Sequence, residues 1–240
     1  MNTPDTSTDL RAKAMLLETK LNAHYGAPFA FFGRRDPVSE MVKTLLSHRT
    51  KNPVTKVAYN TLIERFPTWQ EVINAPTSEV EEAIKVVTYP EVKAPRIQNA
   101  LQTVKDWGNG ELTLDFLKEM SVPAARKKLA EIPGVGAKST AAILNFSVLR
   151  MPALVVDMHH LRVAARLGIV PEKATLEKGA KILQDYLPAD YDGQQVFDNH
   201  QGFMRHGQKV CHWRAPHCAV CVVRADCDYF HEKRNGTAAV

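Results

Sequence analysis

The sequence predicts an all-α fold, and two observations support that prediction. Apolar residues recur at the three- and four-residue spacing of a helix, and no segment shows the sustained alternation that is typical of strands. Prolines and glycines interrupt the pattern often enough to keep the helices short. The interrupting residues are Pro53, Pro67, Pro76, Pro90, Pro95, Gly108 and Gly110. With 45% apolar residues among 240, the chain can bury a large core.

The first strong helical pattern starts at Asp36. Its carboxylate is a good N-cap, and Pro37 suits the first turn because that position needs no backbone N–H. Apolar residues then follow at helical spacing, namely Val38, Met41, Val42, Leu45 and Leu46. We expect this helix to face the core.

Three further helical patterns follow, and we expect their apolar residues to be buried as well. The first consists of Val57, Leu62, Ile63 and Phe66. In the second, Ser78 and Glu81 form a capping-box pattern. Its apolar residues are Val80, Ala83, Ile84 and Val87. The third consists of Ile97, Ala100, Leu101 and Val104.

The two ends of the chain are polar, so we expect residues 1–13 and 231–240 to be flexible. The opening residues MNTPDTSTDLRAK lack an apolar stretch behind a basic start, so we expect no secretory signal. No apolar run approaches the roughly 18 residues that a membrane span needs. These features predict a protein of the reducing cytoplasm.

The charge balance favours a polyanionic partner. Lys and Arg number 31 against 26 Asp and Glu, which gives a formal net charge of +5. The pI is about 9.0. Such a balance suits nucleic acid, although many enzymes are equally basic. The sequence contains no G-x-G-x-x-G fingerprint and no second set of cysteines, which argues against an electron-transfer protein.

All four cysteines of the chain lie in one stretch, CHWRAPHCAVCVVRADC, with the spacing C-x6-C-x2-C-x5-C. Two disulfides would suit a small secreted domain, which this chain does not resemble. Structural zinc commonly uses two close cysteine pairs, whereas only one C-x2-C pair occurs here. We therefore favour a cubane 4Fe-4S cluster held by Cys211, Cys218, Cys221 and Cys227.

A second informative segment is ARKKLAEIPGVGAKSTAA, from Ala125 to Ala142. A short helix meets Gly134, Val135 and Gly136 and then a second helix begins. Exposed N–H groups at the start of that helix would suit a DNA phosphate, although a plain turn between two helices fits the residues equally well. Lys138 falls in the first turn, where the helix dipole disfavours a cation and favours a neutral, nucleophilic amine. An ordinary surface lysine is the alternative.

The third segment is a short apolar run, Leu154 to Val156, that ends in Asp157. A carboxylate at the end of a buried run is costly unless it is paired or functional. Taken alone, Asp157 could also be the N-cap of a helix that begins after it.

These three segments together resemble the endonuclease III branch of the helix-hairpin-helix DNA glycosylases. That family combines a hairpin L-P-G-V-G-x-K-[ST], a V-D aspartate and the same cysteine spacing. Here they occur in order as Ile132–Ser139, Val156-Asp157 and Cys211–Cys227. The resemblance covers roughly residues 30 to 230.

The resemblance implies a role for each matching residue. Lys138 would be the Schiff-base nucleophile, Asp157 the essential carboxylate and the four cysteines the ligands of an iron–sulfur cluster. The implied enzyme is a bifunctional DNA glycosylase/AP lyase of base excision repair that removes oxidised pyrimidines. Its partner would be damaged double-stranded DNA at the nucleoid, and we expect a monomer.

The family fold implies two all-helical lobes with a DNA-binding cleft between them. Residues 38–150 would form the six-helix lobe with the hairpin. Residues 14–37 and 151–230 would form the cluster lobe, and Lys138 and Asp157 would face each other across the cleft. Arg214, in the cluster loop, would present a cation to a phosphate. We expect Trp213 to pack rather than to stack on a base.

The chain departs from the family pattern at the residues that would enter the duplex. Where the family has a loop resembling L-S-A-Q-T-T-D, this chain has Leu46 to Asn52, with Ser47 and His48 ahead of Arg49. Arg49 stands where a glutamine usually fills the gap left by the flipped base. Tyr89 replaces an aliphatic wedge. Met158 replaces the threonine that usually follows the aspartate.

Three alternatives remain on sequence grounds. A mismatch thymine or uracil glycosylase of the same fold normally lacks the hairpin lysine, and so does an adenine glycosylase. From another class, the chain could be a catalytically silent DNA-binding iron–sulfur protein. Arg49 and Tyr89 leave the lesion and the opposing base open.

Overall fold

The computed structural model describes residues 6–31 and 35–237, and this part of the chain is all helical, which confirms the predicted fold class. It contains twelve α-helices and three short 3₁₀ segments, with no β-strand among the described residues. The helices are α1 Thr6–Tyr25, α2 Pro37–Ser47, α3 Asn52–Arg65, α4 Trp69–Asn74, α5 Thr77–Ala83, α6 Pro90–Trp107, α7 Val122–Leu129, α8 Ala137–Phe146, α9 Met158–Arg166, α10 Leu176–Tyr186, α11 Gly193–Lys209 and α12 Asp228–Thr237.

The chain divides into two compact units. One runs from Phe32 to Met151, and the other combines the chain up to Phe31 with the chain from Pro152 onward. We call them the central unit and the terminal unit. The central unit contains α2 to α8, and the terminal unit contains α1 and α9 to α12.

In the central unit, α2 is the most buried helix and packs against α3, α6 and α8. Asp36 caps it as predicted, because its side chain accepts a hydrogen bond from the Ser39 backbone N–H at 2.9 Å. Pro37 occupies the first turn. The five apolar residues predicted to face the core are all buried, as are those predicted for α5 and α6. The helical spacing therefore predicted most of this core correctly.

Four details of the sequence prediction are wrong. Val57 and Ile63 of α3 are 54% and 37% exposed, because α3 turns Ala58, Tyr59 and Leu62 toward the core instead. Ser78 does not cap α5, which starts one residue earlier at Thr77 and has no side-chain cap. Pro95 does not end a helix but lies inside the 18-residue α6.

The terminal unit is built around α11, which packs against α9 and α1, while α10 and α12 pack against α9. Leu17, Leu21, Val163 and Phe203 are among its most buried residues. Helix α1 begins at Thr6, so part of the segment 1–13 that composition marked as flexible is helical. Lys13 of α1 pairs with Asp228 of α12 at 2.6 Å.

None of the helices in the described ranges is both long enough and apolar enough to cross a membrane.

Candidate DNA interface and catalytic residues

The turn between α7 and α8 is a tight hairpin. Gly134 has φ +86°, in the left-handed region where a side chain is strained, and a Cβ there would collide with the side chain of Arg96. Val135 is buried, and its N–H donates to the Ile132 carbonyl at 3.0 Å. The side chain and the N–H of Val135 are therefore both engaged within the hairpin.

Gly136 is the N-cap of α8 and offers no side chain to the first turn. A Cβ on Gly136 would meet no atom within 4 Å. The N–H groups at the start of α8 therefore have no capping side chain and stand beside open space. Uncapped N–H groups at the positive end of a helix dipole favour an anion.

Lys138 is exposed in the first turn of α8. The next residue, Ser139, is buried, and its hydroxyl lies 3.0 Å from Nε2 of His48 at the end of α2. Burial lowers the pKa of His48, and the cations Lys93, Lys138 and Arg96 lower it further. His48 is thus a neutral imidazole next to the hairpin, surrounded by positive charge.

Arg49 and Tyr89 lie in two separate loops and share an unusual backbone. Arg49 follows α2 with φ +53°, and Tyr89 precedes α6 with φ +60° and ψ +56°. Both are exposed, Tyr89 to 52%. A left-handed conformation costs a residue other than glycine about 1–3 kcal/mol and persists only where the surroundings impose it.

Hydrogen bonds tie the two loops together. The hydroxyl of Thr88 donates to the Arg49 carbonyl at 3.0 Å. The Thr88 N–H donates to the hydroxyl of Thr50 at 3.2 Å. Arg49 and Tyr89 are therefore positioned as a pair, although about forty residues separate them in the sequence.

Sequence reasoning missed Lys93, which lies under both loops. It is only 4% exposed, and its Nζ donates to the carbonyls of Leu46 and His48 and to the hydroxyl of Thr50. Burial lowers the pKa of Lys93 to about 8, and Arg96 acts in the same direction. The signal in the sequence was a lysine four residues before Ile97, on the apolar face of α6.

In the terminal unit, Asp157 is the N-cap of α9. Its Oδ1 accepts from the N–H groups of His159 at 2.9 Å and His160 at 2.8 Å. Burial works to raise the pKa of Asp157, but His200 and the His160 N–H outweigh it, so the pKa lies below its ordinary value. The residue is therefore an ionised carboxylate, and Oδ2 is left for another partner.

The four cysteines line one shared cavity between α9, the end of α11 and the cysteine loop. None of the four is part of a disulfide. Burial, together with Cys221, Cys211 and Cys218, raises the pKa of Cys227 to about 11, although a backbone bond from Phe230 acts the other way, so the other three cysteines lie within electrostatic reach of it. The described residues nevertheless include no group of three or more His, Cys, Asp or Glu that could hold a metal ion.

Two arginines of α9 hold the start of the cysteine loop. Arg162 donates to the Cys211 carbonyl at 2.9 Å. Arg166 donates to the Cys211 Sγ at 3.3 Å and to the carbonyls of His212 and Trp213 at 2.7 Å. Four thiols that line one cavity are the type of donor that a sulfur-bound cluster uses. Arg214 and Trp213 are exposed, Trp213 to 66%, and the guanidinium of Arg162 lies over the Trp213 ring at 5.8 Å.

A family model described as "HhH-GPD superfamily base excision DNA repair protein" matches residues 42–189. The chain belongs to the HhH-GPD superfamily. Among its relatives, endonuclease III of Thermotoga maritima is 29% identical over 201 residues, which are 84% of this chain and 87% of that protein. The predicted membership of the endonuclease III family is confirmed.

Solved structures show the same fold. A non-covalent complex of endonuclease III with DNA matches with a TM-score of 0.78 and 21% identity, over 98% of this chain and 100% of that chain. A thermostable thymine-DNA glycosylase matches with a TM-score of 0.76 and 20% identity, over 92% of this chain and 98% of that chain.

Membership of the HhH-GPD superfamily makes the chain a DNA glycosylase of base excision repair. The prediction of an enzyme in the DNA glycosylase/AP lyase class is confirmed. The residues that the family model matches contain the hairpin, Lys138 and Asp157, and both loops that carry Arg49 and Tyr89. The four cysteines lie beyond them.

Proposed function

We propose that the chain is a bifunctional DNA glycosylase/AP lyase that removes oxidised pyrimidines from duplex DNA. The observation that carries the proposal is Lys138, an exposed amine in the first turn of α8, directly after the hairpin. A target base inside a duplex cannot be reached, so the nucleotide must be flipped out of the stack. A primary amine at the hairpin would then meet the sugar of that nucleotide.

The covalent step follows from the chemistry of an amine and a glycosidic carbon. The unprotonated Nζ of Lys138 attacks C1′, the bond from C1′ to the base breaks, and the base leaves with the electron pair and takes up a proton. The amine gives up two protons, one to the departing base and one to the ring oxygen O4′, as the bond from C1′ to O4′ breaks and an imine forms between Nζ and C1′. Loss of a C2′ proton then expels the 3′ phosphate, which cleaves the strand. Water finally releases the sugar from Lys138.

Asp157 would contribute electrostatically and would not form a covalent bond with the substrate. Its ionised carboxylate can stabilise the positive charge that develops on the sugar as the base leaves. It can also help to carry the proton that the amine gives up. The carboxylate oxygen Oδ2 is the atom that we assign to both roles.

The DNA would be bound chiefly through its backbone. The hairpin of Gly134, Val135 and Gly136 leads into the uncapped N–H groups of α8, which suit a phosphate, and Arg214 offers a cation to another phosphate. Ser47 and His48 lead into the loop that carries Arg49. We propose that Arg49 fills the gap left by the flipped base and that Tyr89 wedges the stack open.

We propose that Cys211, Cys218, Cys221 and Cys227 hold a 4Fe-4S cluster. Four thiols that line one cavity match the ligands that such a cluster requires. When bound, the cluster would cross-link the loop and stabilise its fold. The protein's own residues supply all the catalytic groups named above.

We further propose that the protein works as a monomer on DNA at the nucleoid.

A panel of duplexes tests the substrate class. One strand would carry an oxidised pyrimidine, uracil, mismatched thymine, mismatched adenine, oxidised guanine or an abasic site, and both base release and strand cleavage would be scored. We expect release and cleavage to be fastest with oxidised pyrimidines. Faster release of mismatched thymine without cleavage would instead identify a mismatch glycosylase. Tight binding without release from any duplex would identify a silent DNA-binding protein.

A further inference from the structure

We infer that Lys93 is a positioning residue that holds Arg49 and Tyr89 in the arrangement in which they read the duplex. The inference rests on the proposed function for what the two residues do there. Its structural part, the coupling of two loops by one buried lysine, is independent of the reaction.

Lys93 uses every donor that it has. The three bonds from Nζ measure 2.6 Å to the Leu46 carbonyl, 2.7 Å to the His48 carbonyl and 2.8 Å to the hydroxyl of Thr50. An ammonium group has three donors, so the buried charge is fully satisfied. Two of the acceptors belong to the last turn of α2, where the helix dipole favours a cation.

The third acceptor connects Lys93 to both loops. The hydroxyl of Thr50 accepts from Lys93 and also from the Thr88 N–H, and it lies 3.3 Å from the His48 carbonyl. Thr88 in turn donates to the Arg49 carbonyl. One continuous network therefore runs from α2 through Lys93 and Thr50 to the residue before Tyr89.

This network accounts for the two left-handed residues. A residue other than glycine leaves that conformation unless neighbouring groups hold it there. The carbonyl of Arg49 is held by Thr88, while the carbonyl of His48 just before it is held by Lys93. Tyr89 directly follows Thr88, and its carbonyl accepts from the N–H of Lys93 at 3.1 Å in the first turn of α6. Lys93 thus bonds to the His48 carbonyl, just before Arg49, and to the carbonyl of Tyr89.

The test replaces Lys93 with methionine, which keeps the length of the side chain and removes its donors. Lys105→Met is the matched control, because Lys105 lies on the same helix but outside the network. The first measurement is hydrogen exchange of the free protein over residues 46–51 and 86–91. We expect Lys93→Met to speed exchange in both segments and Lys105→Met to leave both unchanged.

The second measurement is made on DNA. Single-turnover base release from one lesion opposite each of the four bases gives the opposing-base preference, and 2-aminopurine beside the lesion reports opening of the stack by its fluorescence. We expect Lys93→Met to lower the preference by roughly tenfold, the equivalent of about one net hydrogen bond. A merely structural role would lower all four rates alike.

Thr50→Val covers the case in which Lys93→Met does not fold, since it removes only the shared hydroxyl. We expect it to speed exchange in segment 86–91 and to weaken the preference in the same direction. Unchanged exchange in both segments, or an unchanged preference in folded variants, would overturn the inference. If the wild type releases no base from any duplex, the proposed function fails and the exchange comparison alone decides.

Discussion

Arg49 and Tyr89 are exposed residues with a strained backbone conformation, and we expect substitutions of the two to have different effects on base release. A guanidinium that enters the duplex can pair with the acceptors of an orphaned base, and guanine offers the best bidentate partner. We therefore expect faster base release opposite guanine, and we expect Arg49→Ala to reduce that preference. The free energy required to flip the nucleotide should rise by a few kcal/mol at most, which is the scale of unstacking one base. Single-turnover rates opposite each of the four bases measure it.

A contact between Arg49 and a backbone phosphate would give a different result, namely a uniform, salt-dependent loss of affinity. An opposing-base profile that does not change in Arg49→Ala would contradict the gap-filling role. Tyr89→Ala is the companion variant. An aromatic wedge stacks without reading identity, so we expect it to slow release opposite all four bases alike.

The resemblance pointed to Arg49 and Tyr89 as sequence positions, but their backbone conformation could not be read from the sequence. Arginine and tyrosine rarely adopt positive φ, and here bonds from Thr88 and Lys93 to the backbone accompany it. Lys93 was missed for a related reason. A lysine is normally assigned to the surface, and its burial depends on carbonyls of a helix distant in sequence.

At the scale of elements, the hairpin contains two glycines that should respond in opposite ways. Gly134 has a positive φ, so Gly134→Ala should lower the free energy of unfolding by about 1–3 kcal/mol. Gly136 has φ −90° and open space around it. Gly136→Ala should leave stability unchanged or raise it by up to about 1 kcal/mol. It should still weaken duplex binding, because the new methyl group would stand beside the N–H groups that bind the phosphate.

Chemical denaturation and duplex titration of the two variants test this prediction together. Equal losses of stability would show that the positive φ of Gly134 is not what the hairpin requires. Full duplex affinity of Gly136→Ala would show that phosphate does not bind at the start of α8.

The proposed cluster in the cysteine loop predicts the colour and the iron content of the purified protein. Protein purified without oxygen should be yellow-brown with about four irons per chain. Cys218→Ala should lose iron and unfold the loop, because the free energy of metal binding also supports folding there. Val220→Ala is the control, since Val220 lies in the same loop and is 68% exposed. Iron analysis and circular dichroism measure both effects, and zinc in place of iron would contradict the assignment.

The elements also show where sequence patterns stop being informative. The apolar face of α2 is unambiguous, and all of it is buried. On α3 the apolar residues do not form one stripe, and packing selected Ala58 and Tyr59 over Val57 and Ile63. The side chain of Ser78 could have capped α5 only if the helix had started after it. The helix instead starts at Thr77, directly after Pro76.

At the scale of the whole molecule, one buried carboxyl should shape the pH dependence of stability. Glu18 of α1 is 4% exposed, and burial raises its pKa to about 7 despite bonds from Asn199 and Tyr191, while Asp198 acts with burial. Between about pH 4.5 and 7 the folded state then binds the proton that the unfolded chain has lost. The free energy of unfolding therefore falls as the pH rises through this window, by roughly 3 kcal/mol at most.

Glu18→Gln removes this titration, so the variant should gain stability relative to the wild type as the pH rises from about 4.5 to 7. Burial also lowers the pKa of His160 to about 3 and of His206 to about 4. These histidines give the opposite slope, but both proteins share them, and they cancel in the difference. Urea unfolding at a series of pH values gives the comparison, and a constant difference would contradict the prediction.

The central claim is that Lys138 forms a covalent bond with the sugar of a damaged nucleotide. Borohydride reduces an imine to a stable amine, so it traps enzyme and DNA together only if that bond forms. We expect the wild type and Lys127→Ala, a nearby exposed lysine variant, to give the trapped complex with a duplex that carries an oxidised pyrimidine. Lys138→Ala should bind the same duplex specifically and give no trapped complex. Trapping of Lys138→Ala at the yield of the wild type would contradict the claim.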